Sequence, residues 1–157
     1  MTDRHLSIDF VEYSSFDEME PLDRELVEKA IDALRGSYSP YSRFKVGAAL
    51  RLEDGTIVKG SNQENNSYPA GLCAERTAMF SAGANYPGVA FDTIAIVAYH
   101  KGRILSDPAT PCGVCRQVMA EYQTKGGKPL KVILAGSEKS YKFSKVDDLL
   151  PLIFDSI

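Results

Sequence analysis

All three cysteines of this chain lie in two short patches, Cys73-Ala74-Glu75 and Pro111-Cys112-Gly113-Val114-Cys115. A fold that joins the patches presents three thiolates and an adjacent carboxylate, the minimum set for activating water on a metal. An odd cysteine count, with no secretory leader in view, does not fit a disulfide framework. The two-residue gap between Cys112 and Cys115 sets both sulfurs on one face of a turn, unlike inert core cysteines scattered among apolar residues. A structural zinc site needs a fourth protein ligand, and the only histidines are His5 and His100. His5 lies near the terminus and His100 ends a predicted strand without ligand-like spacing to any cysteine. The fourth position is therefore expected to be open to water, which is the mark of a catalytic zinc, and the chain reads as a zinc hydrolase.

At 157 residues, 44% of them hydrophobic, the chain can bury one sizeable core and is short for two. Its longest apolar runs, such as Ile94-Ala95-Ile96-Val97-Ala98, are of strand length and far from a membrane span. No membrane association and a cytoplasmic location are expected. The net charge of -3 and the lack of a Lys/Arg cluster disfavour binding to long nucleic acid.

Helices and strands alternate along the chain. Pro21 to Arg35 places Leu22, Leu26, Ala30 and Leu34 on one stripe flanked by Val27 and Ile31, with Gly36 placed to cap the end. A turn-rich loop, Ser37 to Ser42, leads to strands over Lys45–Leu52 and Thr56–Ser61 around the hairpin signal Asp54-Gly55. Cys73 to Ala84 is rich in helix formers, Phe91 to Tyr99 reads as a buried strand, and Cys112 to Tyr122 is helical. Pro129 to Ala135 supplies a fourth strand. A weaker strand over Ser140–Phe143 and a short helix near Val146–Leu150 follow. The order implies a mixed sheet with helices on its faces. Residues 1–15 form an extension in which His5 to Tyr13 is either an added strand or a loose tail, and 16–157 form a single domain.

On this map Cys73 and Cys112 fall at helix N-termini and Cys115 one turn further in, where the partial positive charge of the helix end favours thiolate. Three thiolates on one dication leave a formal charge of about -1, which blunts the metal as a Lewis acid. Arg76 is placed either to donate to thiolate sulfur or to lie on a solvated helix face. Glu75, beside a metal-bound water, would serve as the proton shuttle.

Cys73-Ala74-Glu75-Arg76-Thr77-Ala78 and Pro111-Cys112-Gly113-Val114-Cys115-Arg116-Gln117 together resemble the zinc site of the small, homotetrameric cytidine deaminases. Phe44 to Leu50, Gly60-Ser61-Asn62-Gln63-Glu64-Asn65, Tyr68-Pro69 and Leu149-Leu150-Pro151 with Phe154 are similar to the same family in the same order, so the resemblance covers about residues 22–154. It implies a three-layer α/β/α sandwich on a mixed five-stranded sheet. It also implies one Zn2+ per subunit on Cys73, Cys112 and Cys115, and hydrolytic deamination of cytidine and deoxycytidine to uridine and deoxyuridine plus ammonia, a step of pyrimidine salvage. Glu75 would take the water proton, deliver it to N3 as C4 becomes tetrahedral, and then help protonate the departing amine.

The same resemblance assigns Asn62 and Glu64 to the sugar 3'-hydroxyl, Phe44 and Phe154 to the pyrimidine, and Ala74 and Tyr68 to the substrate pocket, with Arg76 supporting the thiolates. In the family the C-terminal Phe enters a neighbouring subunit's site and the Tyr matching Tyr68 acts at a subunit boundary, which implies a homotetramer with shared active sites. The extension has no counterpart, and Asn65-Asn66-Ser67 is more polar than is common there. A related aminopyrimidine nucleoside, including an antibiotic of the blasticidin type, is the rival substrate, and a silent zinc-stabilised interaction module is the rival from another class.

Overall fold

The computed structural model describes residues 1–154. Residues 155–157, the end of the expected domain, lie outside the described part. Seven strands and three α-helices follow in the order β1 (Phe10–Tyr13), α1 (Pro21–Ala33), β2 (Lys45–Leu52), β3 (Ile57–Ser61), α2 (Ala74–Asn85), β4 (Phe91–His100), β5 (Arg103–Ile104), α3 (Gly113–Gly126), β6 (Lys131–Ala135) and β7 (Ser140–Phe143). The main path of the sheet runs β1-β7-β6-β4-β2-β3, with β5 paired to β4. Only β4 and β6 run parallel, and every other pairing is antiparallel.

Alternation along the central strands builds the three layers. On one face Ala48, Leu50, Ile94, Ile96, Val132 and Leu134 pack with Ala74, Ala78, Met79 and Ala82 of α2 and Met119 and Ala120 of α3. On the other, Ala49, Ala95, Val97, Ile133 and Ala135 pack with Leu26, Val27, Ala30 and Leu34 from α1 and the short 3-10 turn after it. Neighbouring residues thus serve opposite helices, and a one-residue slip in register would exchange the two cores.

The expected sheet of five strands has seven. Both additions are short and lie outside the periodic apolar runs: β1, from the extension, pairs antiparallel with β7, and the two-residue β5 closes a hairpin on β4. The first helix ends at Ala33 and tightens into a 3-10 turn over Leu34–Gly36. Gly36 is not among the positive-φ glycines, so it does not make the expected left-handed cap. Leu22 is 64% exposed, because the stripe that faces the sheet begins one turn later, at Leu26. The short helix near Val146 is a 3-10 turn, Val146–Asp148.

Gly60 of β3 sets the distance between the sheet and α2. A Cβ there would fall on the Ala74 carbonyl and the Ala78 N–H and within 2.9 Å of the Ala78 Cα, so only glycine lets the strand approach the first turn of the helix that follows Cys73.

Candidate active site

Two helix starts build the thiolate cluster. Cys73 is the N-cap of α2 and Cys112 the N-cap of α3, both in extended conformation, and Cys115 lies in the first turn of α3. No side chain caps either start, and the partial positive end of each helix lies at its N-cap cysteine. The Cys73 and Cys112 sulfurs are 4.0 Å apart, those of Cys112 and Cys115 are 3.6 Å apart, and all three lie within 4.8 Å of one another.

A tetrahedral zinc with Zn–S bonds of about 2.3 Å separates its sulfurs by about 3.8 Å, so the cluster fits that ion. Hydrogen bonding from Cys115 and from Arg76 holds the Cys73 thiol down to about 5. Cys115, as the donor in that bond and through burial, is pushed up. The proton between Cys73 and Cys115 thus lies on Cys115, and a bound dication would favour the thiolate form of its cysteine ligands. Arg76 Nη2 lies 3.7 Å from Cys73 Sγ, and Arg76 Nε is buried without a partner among the described residues. A guanidinium held in this way offsets excess thiolate charge.

Glu75 is 5% exposed and is placed by the first turn of α2. Burial pushes its carboxyl above the ordinary value, and the Cys73 thiolate adds to that, against a smaller pull downward from its own backbone N–H. A carboxyl raised in this way exchanges protons nearer neutrality than an exposed one does.

Glu75, Arg76, Cys73 and Cys112 all line one cavity of about 720 Å³. Of the residues expected to meet substrate, Phe44, Asn62, Glu64 and Tyr68 line it too, and Tyr68 is 81% exposed. Ala74 is fully buried behind the wall, and Phe154, 67% exposed, is not part of the cavity lining of its own chain.

Asn62 and Glu64 do more than face the cavity. The Asn62 side-chain amide donates to the Phe44 carbonyl at 2.9 Å, and its oxygen accepts from the Val46 N–H at 2.8 Å and the Ser37 hydroxyl at 2.6 Å. The Glu64 carboxylate accepts from the Tyr41 and Ser42 N–H groups at 2.9 and 3.2 Å and from the Ser42 hydroxyl. These bonds, led by the Ser42 hydroxyl, hold Glu64 below the usual carboxylate value. Together the two residues clamp the Ser37–Val46 segment against the end of β3, and with it the Phe44 backbone.

Ser42, Leu72, Ile96 and Thr110 also line the cavity and carry no sequence signal of their own. Ser42 was legible only as a turn residue. Arg116, next to Cys115, donates from Nε to the Pro111 carbonyl at 2.9 Å and from Nη1 to the Leu149 carbonyl at 2.7 Å, so it ties the loop before Cys112 to the C-terminal segment.

The model of the cytidine and deoxycytidylate deaminase zinc-binding region matches residues 20–127. A cytidine deaminase of Halalkalibacterium halodurans is 42% identical over 137 residues, covering 85% of this chain and 95% of the relative. One of Sporosarcina psychrophila is 43% identical over 131 residues, covering 83% and 89%. The crystal structure of the Burkholderia pseudomallei cytidine deaminase superposes with a TM-score of 0.69 at 46% identity, covering 83% of this chain and 97% of that one. With its thiolates, buried carboxyl and cavity arranged on that fold, the chain belongs to the cytidine and deoxycytidylate deaminase family.

Proposed function

We propose that the protein deaminates cytidine and deoxycytidine by hydrolysis, as a cytoplasmic enzyme of pyrimidine salvage. The observation that carries this reading is the buried Glu75 beside three sulfurs at tetrahedral zinc spacing, with Glu75, Cys73 and Cys112 opening on one nucleoside-sized cavity. Zinc-dependent deamination of cytidine is the function of the family to which the chain belongs.

Cys73, Cys112 and Cys115 would hold the zinc, which supplies, when bound, a water acidic enough to attack near neutral pH. Glu75 has the chain's own acid–base role: it takes the proton of the attacking water, gives it to N3 of the cytosine, and then serves the departing amine. One proton of the water stays on N3, the other leaves on the amine as ammonia, and the water oxygen becomes the 4-oxo group. Its raised pKa suits both directions of transfer. Arg76 moderates the thiolate charge, Phe44 packs on the pyrimidine, and Asn62 and Glu64 hold the 3'-hydroxyl. Because that contact ignores the 2' position, both nucleosides serve as substrates.

Among the described residues, Arg76 is the only cationic side chain of the cavity wall, and it is committed to Cys73. A 5'-phosphate would find no uncommitted cation there to receive it, which favours the nucleoside over the nucleotide as substrate. We further assign residues 16–157 to one catalytic domain working as a homotetramer, in which Phe154 and Tyr68 complete a neighbouring subunit's site. The exposure of both rings in the single chain supports this reading.

Absorbance changes of cytidine, deoxycytidine, cytosine and cytidine monophosphate with the zinc-loaded protein test it. Loss of the two nucleoside signals with release of ammonia is expected. Silence on both nucleosides from folded, zinc-bearing protein overturns it.

A further inference from the structure

Phe44, the aromatic wall of the cavity, is held from outside the site. Lys45 pairs with Tyr99 at the start of β2, and extending that register by one residue sets Phe44 opposite His100, the last residue of β4. The two rings lie 5.6 Å apart between centroids with planes tilted by 41°, within the range of a favourable aromatic pair. His100 Nδ1 lies 3.2 Å from the carbonyl oxygen of Arg43. A carbonyl can only accept, so Nδ1 carries the proton and donates it.

That carbonyl belongs to a strained residue. Arg43 has φ 56°, a conformation that side-chain-bearing residues adopt only where their surroundings enforce it. Its own N–H is tied to the Ser39 carbonyl at 3.0 Å, so His100 and Ser39 hold Arg43 from its two ends. His100 is itself fixed by its pairing with Arg103 across a tight turn in which Lys101 and Gly102 have φ 49° and 84°, the pattern of a type I′ hairpin. The short β5 thus explains itself: it anchors the residue that braces the cavity wall.

We propose that His100 is a positioning residue that fixes the Phe44 ring at the pyrimidine subsite through the Arg43 carbonyl and direct ring contact. This rests on the cytidine deaminase reading. It contributes to substrate affinity more than to the chemical step, because neither Glu75 nor the thiolate cluster touches it.

Three variants separate its two contacts. H100A removes both, H100N retains a donor close to the position of Nδ1, and H100F retains a ring without the donor. For H100A the KM for cytidine is expected to rise about five- to tenfold, the worth of one lost hydrogen bond and ring contact, with kcat changed less than about twofold and zinc content unchanged. H100N and H100F each restore part of the KM. Amide hydrogen exchange of residues 41–46, read without substrate, is expected to speed up in H100A while the first turn of α2 keeps its protection. Unchanged exchange, or an unchanged KM in an active protein, overturns the inference, and so does a loss of zinc or an equal fall in kcat. A wild-type protein that is silent on cytidine overturns the deaminase reading on which it rests.

Discussion

Arg76 sits one helical turn after Cys73, the N-cap of α2, with the guanidinium Nη2 3.7 Å from the thiol sulfur and Nε buried without a partner among the described residues. A charge-balancing donor therefore reaches a cluster that would carry excess negative charge once metallated. Arg76→Gln keeps a donor but removes the cation. Activity or zinc affinity is expected to fall about 10- to 100-fold, the usual range for groups that support metal ligands. Zinc competition titration and steady-state kinetics read the two effects separately, and a variant matching the wild type in both would leave Arg76 without this role.

In the proposed mechanism Glu75, unlike its neighbours, touches the reacting atoms. Glu75→Gln preserves size and removes the proton carrier. The variant is expected to bind a full equivalent of zinc and to lose about 10² to 10⁴ in kcat. Metal analysis beside kinetics checks this; a kcat near wild type would take Glu75 out of the mechanism.

The Ser42 hydroxyl is the leading cause of the lowered pKa of Glu64. A depressed carboxylate contributes stability above its unfolded value, ordinarily about 4.5, and loses it as the pH falls through the folded value. Ser42→Ala moves the Glu64 titration up toward its ordinary position. The difference between variant and wild type is therefore present at neutral pH and fades as the pH falls from about 4.5 through the lower folded value of the wild type, beneath which the carboxyl is protonated in both. Carbon-detected NMR titration of Glu64 follows the shift directly. A rise of roughly three- to tenfold in the KM for cytidine accompanies it, through the loosened Ser37–Val46 segment. A Glu64 titration that does not move in Ser42→Ala would refute the clamp.

Gly60 governs the cluster from the sheet side. Gly60→Ala sets a methyl against the backbone of Ala74 and Ala78, where nothing flexible can yield. A loss of about 1–3 kcal/mol in stability is expected, together with weaker zinc binding, because the displaced turn carries Cys73 and Glu75. Chemical denaturation and zinc titration measure both. A variant with wild-type stability would mean that α2 rides outward freely.

The thiolate cluster and the alternating strands were legible because both are local patterns: a two-residue gap at a helix start, and apolar runs of period two. The two cores they imply follow from parity alone, as Ala48 and Ala49 show by serving opposite helices. What escaped the sequence depends on pairing between distant segments. β5 is two residues long and offers no periodicity, yet the register of Lys45 with Tyr99 makes His100 the neighbour of Phe44. Asn62 and Glu64 stood out as polar side chains flanking one residue, but their bonds to Ser37, Ser42 and Phe44 come from the return of the chain over β3. Leu22 misled because a helical stripe does not say which of its turns reaches the sheet.

In the proposed assembly, Phe154 connects the site to a neighbouring subunit. Its carbonyl accepts from Gln117 Nε2 at 2.8 Å, which ties the C-terminal segment to α3, the helix that bears Cys112 and Cys115. Its ring is 67% exposed and outside its own chain's cavity, so it is free to meet a neighbouring subunit. Truncation after Ile153 removes the ring and leaves the Gln117 side chain without that acceptor. In a homotetramer with shared sites, the truncated protein is expected to keep its zinc and fold but lose at least about tenfold in kcat/KM, as for a buried aromatic anchor. Light scattering of the full chain should give four times the 17.2 kDa chain mass. Phe154→Leu, which retains an apolar contact without the flat ring, should fall between the two. A monomer of full activity, or a truncated chain of normal kcat/KM, would show that each subunit completes its own site.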